Sequence, residues 1–213
     1  MNNMTSITYL FLIIAPFFFG CNGPAKEDNK NNASASSESI GEKYNIDTKE
    51  SVVAWKGSML IGSSSHTGYV YISKGDLMIE NSRLVGGTAE VDMNTIEDES
   101  HKSDSGLIKH LKNADFFDVK LFPVSKITIT NVVPTNGEDI NVMANLTIKN
   151  ITNPVVFTAK MEVKDGIAKM NGRLVIDRTL WGVRYKSGKF YDLIADETMS
   201  DYIEFDIGIV AKH

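Results

Sequence analysis

The sequence is poor in cysteine, has no basic cluster and has no long apolar run. Its 213 residues include one cysteine, which excludes an internal disulfide bond. The 22 Lys and Arg residues against 27 Asp and Glu residues give a net charge of −5, and no basic run is interleaved with aromatic residues. This balance argues against nucleic-acid binding. The longest apolar run, residues 9–19, has eleven residues, whereas a helix that spans a bilayer core needs about 20.

The short apolar run leads directly into Gly20 and Cys21, the only cysteine. A polar start, an apolar stretch and a small residue before the cleavage point are the parts of a secretory signal. The segment resembles a bacterial lipoprotein signal, in which Gly and then Cys end the apolar run. We therefore expect residues 1–20 to be a signal peptide and Cys21 to carry the lipid that anchors the protein to a membrane. Ordinary secretion, with Cys21 left as a free thiol, is the alternative.

Residues 21–43 differ in composition from both the signal and the rest of the chain. Beyond Cys21 they are rich in Asn, Ser, Ala, Lys and Glu, with Ile40 as the one branched aliphatic residue and no aromatic residue. Such a stretch buries too little apolar surface to offset its ordering entropy. We expect a flexible tether here, and one domain over residues 44–213, which is long enough for a substantial core.

The domain shows alternating polar and apolar residues with a period of two, the pattern of half-buried strands. Residues that accept positive φ angles predict turns at Lys74-Gly75-Asp76, Asn136-Gly137 and Asp165-Gly166. Asn153-Pro154 predicts a break between two strands. Strands are predicted at 51–56, 69–72, 77–79, 84–93, 124–132, 140–148, 155–163, 167–176 and 202–210.

One segment has helical spacing instead. Leu107, Ile108 and Leu111 predict a short helix within residues 105–113, with Asp104 or Ser105 as its N-cap. About eight antiparallel strands with one short helix indicate an all-β barrel or a sandwich, and the periodicity does not separate the two.

Several segments, in order along the chain, resemble the YceI-like family. The resemblance covers residues 44–211 and is specific because the motifs keep both their order and their spacing. The segments are Tyr44-Asn45-Ile46-Asp47, the run 51–57 with His66-Thr67-Gly68, the run 110–118 ending at Phe122-Pro123, the run 146–155, and Asp177-Arg178-Thr179-Leu180-Trp181-Gly182-Val183.

The resemblance implies an eight-stranded, lipocalin-like antiparallel β-barrel with an elongated apolar cavity that binds a polyisoprenoid or similar lipid. It implies no enzymatic activity, no catalytic residues and no cofactor. We expect Arg178 at one end of the barrel, with Trp181 and Tyr185 stacked on its guanidinium group. The predicted ligand-binding residues are Val142, Ala144, Leu146, Phe157, Ala159, Met161, Phe205, Ile207, Arg178 and Trp181.

The remaining reactive residues do not form a recognisable site in the sequence. His101, Asp104 and His110, with Glu97–Glu99 before them, lack the spacing of a zinc site, so a solvated acidic loop is the better interpretation. No Gly-x-Ser-x-Gly motif is present.

We therefore predict an exported, membrane-anchored lipoprotein of the bacterial cell envelope, facing the periplasm or the cell surface, that binds an isoprenoid-type or other long apolar lipid without chemistry. Two alternatives stay open at this point. One is an envelope protein-interaction module with a filled barrel, and the other is an enzyme that acts on a lipid or quinone.

Overall fold

Nine antiparallel strands, one α-helix and one 3₁₀ helix form the computed structural model, which describes residues 41–62 and 64–213. The predicted signal peptide, Cys21 and nearly all of the predicted tether lie outside these residues. The strands are β1 (Glu42–Ile46), β2 (Val52–Met59), β3 (Ser65–Glu80), β4 (Arg83–Asp98), β5 (Val124–Pro134), β6 (Asp139–Ile148), β7 (Ile151–Lys164), β8 (Ile167–Asp177) and β9 (Met199–Lys212). The helix α1 is Gly106–Lys112, and the 3₁₀ helix is Arg178–Trp181.

The nine strands close into a barrel with eight strand positions. Each strand from β3 to β9 pairs with its neighbour along the chain, and β2 pairs with both β3 and β9. The short strand β1 also pairs with β3 and β9, so β1 and β2 share one position end to end. The predicted eight-stranded antiparallel barrel is confirmed, and closure excludes the sandwich. Closure also pairs the strand edges that an open sheet would expose.

Alternation along the strands sets which side chains face inward. In β6, Val142 and Ala144 are buried while Met143 and Asn145 are exposed, and β7 shows the same alternation. Successive side chains of a strand point to opposite faces, so one face of each strand builds the core. The predicted strand faces of β6 and β7 are therefore confirmed.

The turn predicted at Lys74-Gly75-Asp76 is wrong, because these residues lie within the continuous strand β3. A Cβ atom on Gly75 would lie 2.5 Å from the carbonyl oxygen of Thr88 and 2.9 Å from the Cα atom of Ala89. The glycine thus permits β4 to approach closely instead of turning the chain. The chain turns at Asn81 and Ser82, which have φ angles of 50° and 60°.

The strand break predicted at Asn153-Pro154 is also wrong. Both residues lie in β7, and the β6–β7 turn is formed by Lys149 and Asn150, with φ angles of 51° and 59°. Two consecutive positive φ angles are those of a tight hairpin turn. Pro154 is tolerated because β8 pairs with β7 only from Thr158 onward, so Pro154 occupies an edge segment. The predicted turn at Asp165-Gly166 and the connection at Asn136-Gly137 are confirmed.

The two ends of the barrel differ in how their strands are connected. At one end, here called the hairpin end, short turns join β3 to β4, β5 to β6 and β7 to β8. The other end, here called the helix end, carries the two long connections, which contain α1 and the 3₁₀ helix, together with the β2–β3 loop and the tight β6–β7 turn. The predicted helix is confirmed, and Ser105 is its N-cap, since its Oγ accepts a hydrogen bond from the Ile108 amide at 3.4 Å.

Candidate functional site: an apolar cavity in the barrel

An apolar cavity of about 190 Å³ lies inside the barrel and extends toward the helix end. Inward side chains of β2, β3, β4, β5 and β9 form most of its wall, and Leu107 and Leu111 of α1 with Phe116 and Phe117 border it at the helix end. An engineered apolar cavity of about 150 Å³ in another protein stays dry and binds benzene. Pockets for larger ligands have volumes of about 300–1,000 Å³. A long hydrocarbon chain therefore requires the wall side chains to rearrange.

The wall contains residues that can make this rearrangement. Met59, Met93, Met170 and Met199 all line the cavity. Methionine has three rotatable bonds and a polarizable sulfur, so it adapts to irregular ligands better than branched side chains do. The wall thus combines an apolar surface with side chains that can move.

The residues predicted as ligand contacts divide into two groups. Leu146, Phe157, Phe205, Ile207 and Arg178 line the cavity. The other five pack in the core or beside it, and contact of any of the ten residues with a ligand stays a prediction. They are Val142, Ala144 and Ala159, which are buried, Met161, which is partly buried against the core, and Trp181, which is buried at the helix end.

Trp181 positions the 3₁₀ helix against the barrel wall. Its Nε1–H donates a hydrogen bond to the carbonyl oxygen of Leu146 at 3.0 Å. A buried indole N–H normally finds such a partner. The contact links the 3₁₀ helix to a residue that lines the cavity.

Arg178 is a buried charged group in the cavity wall, with 1% of its surface exposed. Its Nε and Nη1 donate hydrogen bonds to the carbonyl oxygens of Ser200 at 3.0 Å and Val183 at 2.8 Å. Its Nη2 lies 3.6 Å from Oδ1 of Asp201. Burial lowers the pKa of Arg178, and the charges of Asp201 and Asp177 oppose this shift. The arginine therefore joins the start of β9 to the segment after the 3₁₀ helix.

The aromatic ring that lies against Arg178 is Phe116. The predicted stacking of Trp181 and Tyr185 on the guanidinium group is wrong, because the guanidinium carbon lies 5.7 Å from the centroid of the Phe116 ring. Tyr185 instead packs against His110, with ring centroids 4.3 Å apart. The run that contains Phe116 follows α1, and its position over Arg178 depends on the tertiary structure.

Asp177 forms ion-pair and capping contacts beside this cluster. Its Oδ1 accepts a hydrogen bond from the Thr179 amide at 3.0 Å, and its Oδ2 lies 2.5 Å from Nζ of Lys189. Lys189 also lies 3.3 Å from Oδ2 of Asp201. Asp177 and Arg178 thus form ion pairs and backbone hydrogen bonds at the end of β8.

His101 and His110, which the sequence brings near several acidic residues, contact different side chains. His101 Nδ1 lies 2.6 Å from Oε1 of Glu97, and its ring stacks on Tyr69, whereas His110 packs against Tyr185 and Phe116. Within residues 41–62 and 64–213, no three His, Cys, Asp or Glu side chains are grouped in a way that would hold a metal ion.

Comparison with known proteins identifies the family. A profile of the YceI-like domain matches residues 44–211, which is most of the chain. The chain belongs to the YceI-like family. This family member is 28% identical to a UPF0312 protein of Pseudomonas putida strain F1 over 130 residues, 57% of this chain and 63% of that protein. A UPF0312 protein of Shewanella denitrificans is 27% identical over 122 residues, 54% of this chain and 60% of that protein. The chain thus matches less than two thirds of the length of these relatives.

Solved structures of low sequence identity share the fold of this YceI-like protein. BcnA of Burkholderia cenocepacia aligns with a TM-score of 0.64 at 19% identity, covering 78% of this chain and 99% of that chain. A polyisoprenoid-binding domain from Saccharophagus degradans aligns with a TM-score of 0.60 at 13% identity, covering 79% of this chain and 97% of that chain. At these identities the likeness shows a shared barrel.

Among the residues that the structure describes, no helix has the length and apolar character needed to cross a membrane.

Proposed function

We propose that this protein binds a polyisoprenoid-type or other long apolar lipid in its barrel cavity and sequesters or transports it without chemical change. The apolar wall of the cavity carries this proposal. Transfer of hydrocarbon from water to such a wall gains roughly 25 cal/mol per Å² of apolar surface. Membership in the YceI-like family and the shared fold with a polyisoprenoid-binding domain support it.

The position of Arg178 suggests how a bound lipid is oriented. The hydrocarbon chain lies among the apolar strand residues, and any polar group lies toward the helix end, where Arg178 and Ser200 border the cavity. A charged or hydrogen-bonding group is poorly accommodated deeper in the barrel, because burial of an unpartnered polar group is unfavourable.

The proposal places the protein in the bacterial cell envelope, with Cys21 as a lipid-modified anchor after removal of residues 1–20. The apolar run before Gly20-Cys21 supports this arrangement. Cys21→Ser is expected to abolish metabolic labelling with radioactive fatty acid and to release the protein from membranes. Labelling that persists in the variant would contradict the anchor and leave the barrel proposal intact.

Lipid binding is tested by detergent-free purification of the native protein, followed by organic extraction and mass spectrometry. We expect one defined apolar lipid in near-stoichiometric amount. Val91 lines the cavity, so Val91→Phe places a ring in the space that the lipid would occupy. The variant is expected to lose at least tenfold in bound lipid.

The matched control is Val156→Phe, at an exposed position on the outer face of β7. It makes the same chemical change outside the cavity and is expected to retain the lipid. Wild-type protein that is empty after purification and that fails to take up added polyprenol would overturn the proposal in favour of a protein-interaction module with a filled barrel.

A further inference from the structure

Several large apolar side chains are exposed on two neighbouring loops at the helix end of the barrel. The three most exposed are Leu60, with 59% of its surface exposed, Ile61 with 60% and Ile194 with 64%. The Leu60 amide donates a hydrogen bond to the carbonyl oxygen of Thr198 at 2.8 Å, and Thr198 Oγ1 donates one to the carbonyl oxygen of Ile194 at 3.0 Å. The two loops are therefore held together. Leu60, Ile61 and Ile194 are called the mouth patch below.

The mouth patch lies on loops that adjoin the cavity wall. Met59 and Met199 are paired across β2 and β9, and both line the cavity. Leu60 directly follows Met59 in the chain. The hydrogen bond from the Leu60 amide is accepted by the carbonyl oxygen of Thr198, the residue before Met199. The wall residues Met59 and Met199 thus border the two loops that carry the mouth patch.

We propose that the mouth patch inserts into the surface of a lipid bilayer and that the apolar ligand passes between bilayer and cavity at this point. The inference rests on the proposed function, since a lipid of this class reaches a protein far more readily from an apolar phase than from water. Loop tips with few apolar side chains suit shallow insertion at the boundary between head groups and acyl chains.

The charges beside the mouth patch indicate that insertion is apolar and not electrostatic. Between residues 184 and 197, three basic residues are balanced by three acidic residues: Arg184, Lys186, Lys189, Asp192, Asp196 and Glu197. A surface without net charge gains little from anionic lipids. Docking is therefore expected on phosphatidylcholine vesicles, with weak dependence on salt concentration.

The small size of the mouth patch favours a bilayer over a protein partner. A stable protein interface buries about 800 Å² on each side, whereas the mouth patch consists of three side chains on two loops. A fluid bilayer accepts such a small projection without a complementary surface.

The experiment uses the full chain, with a fluorophore sensitive to polarity attached to a single introduced cysteine. Ile61→Cys places the probe in the mouth patch, and Val156→Cys is the control because Val156 has 61% of its surface exposed on the outer face of the barrel. Both variants carry Cys21→Ser, so that the introduced thiol is the one labelled and the N-terminal segment is the same in both. Phosphatidylcholine vesicles, with and without a lipid-attached quencher, are then added.

The probe at position 61 is expected to shift to shorter emission wavelengths and to be quenched at least threefold more than the probe at position 156. Equal quenching at the two positions would overturn the inference. A probe at position 61 that is already shielded before vesicles are added would also overturn it, because the patch would then be covered by a second copy of the chain.

A transfer assay separates this inference from the proposed function. Protein loaded with a fluorescent polyprenol is mixed with acceptor vesicles, and the release rate is followed as vesicle concentration rises. We expect the rate to increase with vesicle concentration and to fall about tenfold in Leu60→Ser/Ile61→Ser, with no change in Val156→Ser. A release rate that depends neither on vesicle concentration nor on the Leu60→Ser/Ile61→Ser change would contradict docking and leave lipid binding intact. If the protein loads no lipid but the probe at position 61 still inserts into vesicles, the proposed function alone would be contradicted.

Discussion

The guanidinium carbon of Arg178 lies 5.7 Å from the centroid of the Phe116 ring, and both residues border the cavity at the helix end. The contact joins the run that follows α1 to the 3₁₀ helix that follows β8. Cations over an aromatic face are attracted by the ring quadrupole, more strongly when both groups are shielded from water. The pair therefore closes this side of the barrel with a charged group that is held in place.

Arg178→Met is expected to destabilise the protein by about 3–5 kcal/mol, because it removes the buried partner of an ion pair and leaves Asp201 with Lys189 as its remaining cation. Two carbonyl oxygens would lose their donors as well. The check is urea unfolding at pH 7. Arg173→Met is the control: Arg173 pairs with Glu204 on the outer surface with 65% of its side chain exposed, and its loss is expected to change stability by less than about 1 kcal/mol.

Gly75→Ala tests the close approach of β3 and β4. The added methyl group would lie 2.5 Å from the Thr88 carbonyl oxygen, so the strands must shift, and we expect a loss of roughly 1–3 kcal/mol. Gly57→Ala in β2 is the matched control, since nothing lies within 4 Å of its new methyl group. Thermal unfolding of the two variants should differ clearly, and similar midpoints would contradict the packing argument.

Asp177 gives a prediction for pH. Burial by itself raises the pKa of Asp177, but hydrogen bonds from Lys189 and Thr179 outweigh it, and the pKa is lowered. A carboxyl group whose pKa is lower in the folded state stabilises the protein above its unfolded pKa of about 3.9, and this stability is lost as pH falls through the folded pKa. Asp177→Asn keeps the capping oxygen but loses the ion pair with Lys189, so it is expected to destabilise the protein by about 0.5–1 kcal/mol at pH 7 and to have little effect near pH 2.

A double-mutant cycle that combines Asp177→Asn with Lys189→Met tests whether the Asp177–Lys189 ion pair causes this pH dependence of stability. The coupling between Asp177 and Lys189 should be measurable at pH 7 and vanish in acid. A coupling that is the same at both pH values would show that the ion pair does not cause the pH dependence.

Asn150→Gly is expected to stabilise the protein by roughly 0.5 kcal/mol. Asn150 has a φ angle of 59° in the β6–β7 turn, and glycine adopts this conformation without steric strain. Asn150→Ala should change stability in the opposite direction, because alanine is strained at positive φ. Chemical denaturation that ranks alanine above asparagine would contradict the turn conformation.

How far the sequence predicts this protein is clearest in β6 and β7. Their alternation is uninterrupted, so the inward set that includes Val142 and Phe157 could be recognised locally, and the structure confirms it as the inner face. β3 is different. Its pairing with β4 shifts register at three places, between Tyr69 and Tyr71, Ile72 and Lys74, and Met78 and Ile79. Each bulge changes which residues face inward, and the sequence therefore showed two short strands where one long strand exists.

The cavity, too, could be predicted only in part from the sequence. Inward-facing residues can be predicted from period two, but whether an inward residue contacts its neighbour or an empty space depends on how all the strands close around it. Ala144 faces inward and packs in the core, whereas Val91 faces inward and lines the cavity. Nothing in the local pattern separates the two cases. The methionines of the wall have no periodic signal either, because they come from four different strands.

The sequence by itself determined the strand faces of β6 and β7, the capped helix, two of the turns and the family, because each depends on neighbouring residues or on motifs in a set order. The tertiary structure decided the shared position of β1 and β2, the contact of Phe116 with Arg178, the place of the cavity and the exposure of Leu60, Ile61 and Ile194 beside its mouth. Those features depend on distances between residues far apart in the chain, which are set when the barrel closes.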